Sequence, residues 1–191
     1  MAQPGELFLM ARVPEAIGQA LLRPIVDNGL DTTLGDRLSS MRNSHQTLSS
    51  WYPREKREAI LQACAGLVAH AFTLRLDRLQ SVKGRPPKIL WMYVPGLGKS
   101  DGLTELLAAL RIRLRQQNLP VIQSFGAHVT MSYDARHMID PIDIPPVFWL
   151  IDTIELVEAA GYGKDYRYEV VESFSLLPPA APPPMQLGLL G

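Results

Sequence analysis

His45-Gln46-Thr47 and His128-Val129-Thr130 are two copies of one short pattern, an imidazole two residues ahead of a hydroxyl, set far apart in a chain of 191 residues. Along a strand, residues i and i+2 point to the same face, so each copy sets an imidazole beside a hydroxyl above a sheet. Histidine is the side chain whose ordinary pKa, about 6.5, lets it take and give a proton near neutral pH. A single His two residues before a Thr is a common accident and reads as a structural strand residue. Two copies among only four histidines, each on a predicted strand and each following a helical segment, say more. If both strands line one cleft, two imidazoles and two hydroxyls surround a space suited to a tetrahedral phosphate. The hydroxyls would donate to phosphate oxygens. One neutral imidazole would take a proton from water, and the other, protonated, would supply one to the departing oxygen. That chemistry asks for no metal and no other cofactor.

The rest of the chain supplies the scaffold. Glu6 to Val13 reads as an apolar strand, and Pro14 starts a helix with Ile17, Ala20, Leu21 and Ile25 apolar, which Pro24 is expected to kink or end. Asp27 to Ser44 reads as a loop and His45 to Trp51 as a strand. Pro53 opens a helix with a stripe at Ala59, Ile60, Ala63, Cys64, Leu67 and Val68. The alternation from Phe72 to Asp77, the turn Gly84 to Pro87 and the run Ile89 to Val94 predict a hairpin. A helix from about Asp101 has Leu103, Leu106, Leu107, Leu110 and Leu114 on one face. His128 to Tyr133, Val147 to Val157 and Tyr166 to Phe174 read as strands, the last two joined at Gly161-Tyr162-Gly163. The element order of the first half is partly echoed in the second. The fold class is therefore α/β in the α+β sense: two pseudo-symmetric lobes, mostly antiparallel sheets around a central cleft, helices outside. This unit takes residues 1–175, and a Pro-rich tail takes 176–191.

Nineteen basic residues balance nineteen acidic ones, which removes the positive field of a protein that coats long nucleic acid. With 47% hydrophobic and 20% charged residues, the composition is that of an ordinary globular protein. Cys64 is the only cysteine, so no intramolecular disulfide forms and no cysteine-based metal site exists, as suits a reducing compartment. No apolar run reaches about 18 residues. The expectation is a cytoplasmic monomer with no membrane partner.

The motifs and their surroundings resemble the 2H phosphoesterase superfamily, and within it the RNA 2′,3′-cyclic phosphodiesterase or 2′-5′ RNA ligase-like family. Glu6-Leu7-Phe8-Leu9-Met10-Ala11-Arg12-Val13-Pro14 is similar to that family's first strand, Leu74 to Val94 to its apolar hairpin, and Phe125 to Met131 to its second motif. The resemblance implies that His45, Thr47, His128 and Thr130 form the active site of a cyclic phosphodiesterase, with His128 as base and His45 as acid. It implies a small nucleotide or an RNA terminus carrying a cyclic phosphate as substrate, and 2′-5′ RNA ligase activity as the reverse direction. Close RNA-processing members carry a basic residue after the second motif, where this chain has Met131-Ser132-Tyr133-Asp134; Arg136 is the cation placed to substitute. Trp51 and Tyr133 follow the motifs closely enough to stack on a base.

A rival reading uses Gly96-Leu97-Gly98-Lys99-Ser100, between an apolar strand and a helix, as a phosphate loop of a nucleoside-triphosphate binding protein, with Asp152 as a magnesium-binding acid. A full loop needs Gly five positions before Gly98, where Tyr93 stands, so a capped glycine turn is the expectation. A third reading is a non-catalytic nucleotide or RNA binding module. His70 and His137 read as structural or solvated, Arg111, Arg113 and Arg115 as a solvated helix face, and the segment from Met185 to Leu190 as a disordered end that has the look of a docking peptide.

Overall fold

The computed structural model describes residues 2–84, 88–96, 98–121 and 126–180. Their strands form two four-stranded sheets in which every pairing is antiparallel. The first runs β2 (His45–Thr47), β1 (Leu7–Arg12), β7 (Thr153–Ala160), β8 (Arg167–Ser175). The second runs β5 (Val129–Ser132), β4 (Ile89–Val94), β3 (Phe72–Lys83), β6 (Ile142–Ile151). Each sheet therefore ends on the strand of a His-x-Thr motif, and these two edge strands touch. The two-lobed α+β arrangement expected from the motif pair is the one observed.

Helices α1 (Glu15–Asp27), α3 (Arg57–Ala65) and α4 (Asp101–Gln116) pack one face each on the sheets, while α2 (Leu30–Leu34) is a single short turn of helix. In α4, Ser100 caps the start by accepting the Leu103 N–H at 3.3 Å, and all five leucines of the predicted stripe are buried. Each is worth about 1.5–3 kcal/mol of burial. They join Leu7, Leu9 and Ala11 of β1, Leu74, Leu76 and Leu79 of β3, and Ile60, Ala63 and Cys64 of α3 in one core shared by both lobes. The other face of β1 carries Phe8 and Met10, which pack with Val157, Ala159 and Tyr168 in a separate small cluster.

Several expectations need correction. Helix α1 continues through Pro24 to Asp27. The ring's conflict is with the carbonyl of Ala20, an exposed position where a carbonyl can tilt toward water. For the same reason Ala20 is not in the apolar face, and Gly18 is buried instead. The loop predicted from Asp27 to Ser44 contains α2 and two 3-10 turns, Gly35–Arg37 and Met41–Asn43. The strand predicted from His45 to Trp51 stops at Thr47: Ser49 Oγ takes the Leu9 N–H at 2.8 Å in place of a carbonyl, and pairing resumes where Tyr52 exchanges two 2.8 Å bonds with Leu7. Val68 lies beyond α3 and is 73% exposed.

The predicted strand Val147 to Val157 is two strands in different sheets, β6 and β7, divided at Asp152. The run has no Gly or Pro at the crossing, so its hydrophobicity is continuous while the chain passes from one lobe to the other. β6 also starts earlier, at Ile142, and contains Pro145 and Pro146, which an edge strand tolerates. The hairpin of β3 and β4 is observed, its tip at 85–87 lying outside the described residues. Gly161 sits in the β7–β8 turn at φ +72, where a Cβ would stand 2.4 Å from the Asp165 carbonyl, so that turn requires glycine. After β8, Leu176 and Leu177 donate to Asp152 O and Ala69 O at 2.7 and 2.9 Å, and Leu177 O accepts from Ala71. Residues 181–191, with the Met185 to Leu190 segment, lie outside the described residues. Among the described residues no helix is long and apolar enough to cross a membrane.

Candidate active site

β2 pairs with β1 so that His45 lies opposite Arg12 and Thr47 opposite Met10. This register turns His45 toward the cluster of Phe8, Met10 and Tyr168. Its ring lies 5.4 Å from that of Phe8 and stands edge-on to Tyr168 at 5.1 Å and 86°, leaving the residue 7% exposed. Its Nδ1 is 2.7 Å from the Asn43 carbonyl. His128, half-buried, lies just before β5, which is shorter than the strand expected from His128 to Tyr133, and its Nδ1 is 2.8 Å from the Gly126 carbonyl. In both cases the carbonyl belongs to the residue two positions upstream. A carbonyl only accepts, so each Nδ1 carries the hydrogen in the neutral ring and each Nε2 is left with a lone pair for chemistry.

Gln46, between the two motif residues, was not read from the sequence as functional. Strand alternation turns it away from His45 and Thr47 into a fully buried position. There its Nε2 donates to Thr47 O at 2.9 Å and to Gly126 O at 3.3 Å, and its Oε1 accepts the His128 N–H at 2.7 Å. One amide side chain thus ties the first motif to the backbone of the second. The signal was present: a polar residue at a position that alternation assigns to the core must find buried partners.

The electrostatics follow from burial. Loss of water around His45 drives its pKa down to about 4, partly offset by its bond to the Asn43 carbonyl, with the nearby His128 and Arg12 lowering it further. The contribution of His128 agrees with the contact between β2 and β5. Burial also lowers the pKa of His128, against the bond to Gly126. Both rings are therefore mostly neutral at pH 7 in the free protein, and any anion placed beside them would raise both by stabilising the imidazolium.

Thr130 is buried and Thr47 half-buried. Thr130 lines a cavity of about 560 Å³ together with Tyr133, Tyr166, Tyr168, Arg42 and Lys164. Burial pushes the Tyr133 phenol up to about 12, with Tyr168 adding to the rise and a hydrogen bond from Thr130 opposing it. Tyr133 thus lines the same cavity as Thr130 of the second motif. Trp51 and Arg136 are exposed and line none of the described cavities. Tyr52 is buried and its hydroxyl donates to Pro120 O at 2.8 Å. Tyr166 and Tyr168 had no sequence signal, because they reach the site from β8 and the turn before it, more than 120 residues after His45. Arg12, opposite His45, is held by Glu155 at 2.9 Å.

Lys99 and Asp152 line different cavities, and Asp152 accepts from the Thr153 hydroxyl at 3.1 Å. Nothing in the described residues joins them into a magnesium–triphosphate site. No three His, Cys, Asp or Glu side chains gather as metal ligands among the described residues.

No known family pattern matches the sequence, and no curated protein matches it. In structure the chain is similar to E. coli LigT in its apo form, with a TM-score of 0.71 and 20% identity over 92% of this chain and 99% of that one. It is similar to the protein TT0787 of Thermus thermophilus, with a TM-score of 0.69 and 19% identity over 89% and 97% of the two chains. A structure described as a phosphoesterase gives 0.67 and 21% over 92% and 99%. This chain therefore has the two-lobed fold shared by E. coli LigT and that phosphoesterase.

Proposed function

We propose that the chain is a 2H phosphoesterase that hydrolyses a cyclic phosphodiester, with RNA or nucleoside 2′,3′-cyclic phosphate as substrate and the 2′-phosphomonoester as product. The observation that supports this most is the matched mounting of His45 and His128: each Nδ1 is held by the carbonyl two residues upstream, and Gln46 ties the two motifs together. Thr47 and Thr130 stand beside the imidazoles as donors for phosphate oxygens. Water attacks phosphorus and passes its proton to the basic Nε2. The bond from phosphorus to the 3′-oxygen breaks, and the other imidazolium protonates that oxygen. Both proton transfers are supplied by side chains already in the cleft, so the reading expects activity in EDTA.

The family resemblance makes His45 the acid and His128 the base. In the free protein His45 holds its proton less well, with a pKa of about 4. The acid role therefore requires the bound phosphate to lift it. The tyrosine-lined cavity beside Thr130 suits a nucleoside, and E. coli LigT, of the same fold, has been crystallised with 3′-AMP, ATP and NADP+.

The test is hydrolysis of a nucleoside 2′,3′-cyclic phosphate in EDTA by the wild-type chain, His45→Ala and His128→Ala. Each substitution is expected to lower kcat by about 10²–10⁴-fold. Full activity in both variants would sink the proposal, and tight product binding without turnover by the wild type would instead favour the non-catalytic module.

A further inference from the structure

Gly96, Gly98, Lys99 and Ser100, which a triphosphate reading does not explain, border a second cavity of about 710 Å³. This cavity shares no lining residue with the tyrosine-lined one. Its wall includes Gly126 and Ala127, the two residues before His128, and Gly126 is the residue whose carbonyl holds the His128 ring. Successive Cα atoms are about 3.8 Å apart, so the wall of the cavity comes within one residue of His128 along the chain.

Three cations from three separate elements converge on it: Arg78 from β3, Lys99 from the turn and Arg111 from α4. Among the described residues no carboxylate lines it. Arg78 is paired with Asp143 at 2.8 Å, while Lys99 and Arg111 make no ion pair among the described residues. The nearby carboxylate of Asp77 is already engaged, by Arg75 at 2.6 Å and by the Gly96 N–H. That engagement holds the backbone at Gly96 and leaves the charges of Lys99 and Arg111 without a carboxylate partner among the described residues.

The arginines of α4 are not one solvated face. Arg113 donates to the Ala63 carbonyl at 3.2 Å and braces α3, Arg115 is exposed, and Arg111 lines the cavity. The start of α4 is not what would hold a ligand, since Ser100 Oγ already takes the Leu103 N–H. A concave wall with convergent cations beside a reacting phosphate is the arrangement that tracks a nucleic-acid backbone.

We infer that this cavity is a second anion subsite, which takes the phosphate next along the substrate from the reacting cyclic phosphate through Lys99 and Arg111. The inference rests on the proposed function, and it makes the preferred substrate a nucleotide chain or a 5′-phosphorylated nucleotide rather than a bare cyclic nucleoside phosphate.

The experiment compares kcat/KM for three substrates at low salt: uridine 2′,3′-cyclic phosphate, the same compound with a 5′-phosphate, and a dinucleotide ending in the 2′,3′-cyclic phosphate. The wild-type chain is expected to prefer the extended substrates by about tenfold or more, as a charged hydrogen bond of about 1.5–3 kcal/mol implies. Lys99→Gln, at an exposed position, and Lys99→Gln with Arg111→Gln are expected to bring the ratio toward one. Preference for both extended substrates identifies a terminal phosphate as sufficient, and preference for the dinucleotide alone identifies the internucleotide phosphate. Equal rates on all three, or a preference that survives the double substitution, overturns the subsite.

Failure of the wild type to open any of the three defeats the proposed function instead. The subsite is then decided by titrating the same proteins with inorganic pyrophosphate. Pyrophosphate-induced NMR shifts at the backbone amides of Gly98, Ser100 and Thr104, which line the cavity, support it if they are lost in the double variant, and their absence in the wild type overturns it.

Discussion

His45 and His128 present Nδ1 to the carbonyl two residues upstream at 2.7 and 2.8 Å, yet they sit in different surroundings. His45 is sealed between Phe8 and Tyr168 on the first sheet, whereas His128 is half-buried beside Gly126 and Ala127, next to a cavity rich in cations. The mounting is local, because two residues of chain suffice to make it. The proton affinity is not local, because it depends on which elements close over the ring. Two equivalent motifs thus become two inequivalent groups, which is what an acid and base pair needs.

The largest test of this inequality is acid stability. His45 has a pKa of about 4 in the folded chain, against 6.5 for the unperturbed group. The unfolded chain therefore binds the proton more readily. The stability is fully present above pH 6.5 and is lost as pH falls toward and through 4, by about 3 kcal/mol. Urea unfolding at pH 7, 5.5 and 4 should show this loss in the wild type, and His45→Gln should flatten it. Parallel curves for the two proteins would contradict the burial argument.

Gln46→Leu comes next. It leaves the His128 N–H without its acceptor and removes the tie to Gly126, at an expected cost of about 1–3 kcal/mol in unfolding free energy. Loosening of His128 by about 1 Å should also lower kcat by up to about 10²-fold. A variant as stable and as active as the wild type would show that the two motifs hold their spacing without the amide.

Tyr168→Ala acts on one histidine only. It opens the ring of His45 to water, and the His45 titration followed by NMR should move up from about 4 toward 6.5 while that of His128 stays in place. Equal movement of both would mean that their difference does not come from the aromatic wall. The smallest effect is expected from Tyr133→Phe, which removes the phenol from the cavity that Thr130 also lines. Nucleotide affinity, measured by calorimetry with 3′-AMP, should fall by less than about tenfold.

The parts of the fold that were legible in the sequence are those with complete local patterns. The leucine stripe of α4, with Ser100 at its cap, predicts its own helix, and the alternation of β3 followed by the apolar run of β4 predicts their hairpin. Strand boundaries were less legible where hydrophobicity runs on without punctuation. From Val147 to Val157 both sides of Asp152 are apolar, and only the arrangement of the two lobes divides the run between them. Pro24 misleads in the opposite direction, since its usual effect on a helix is muted where the affected carbonyl faces water.

By itself the sequence determined the side chains available to this protein: two imidazoles, each with a hydroxyl at the same offset, and nineteen basic residues balanced by nineteen acidic ones. Strand period and side-chain pKa are properties of the residue and its neighbours, so they can be read without coordinates. The tertiary structure decided that β2 and β5 are edges of two sheets that touch, that Gln46 joins them, that Tyr168 arrives from a distant strand to dry His45, and that Lys99 and Arg111 line one cavity with Gly126 and Ala127. Those relations depend on packing between residues far apart in the chain, and burial, which sets both proton affinity and charge strength, exists only once that packing is made.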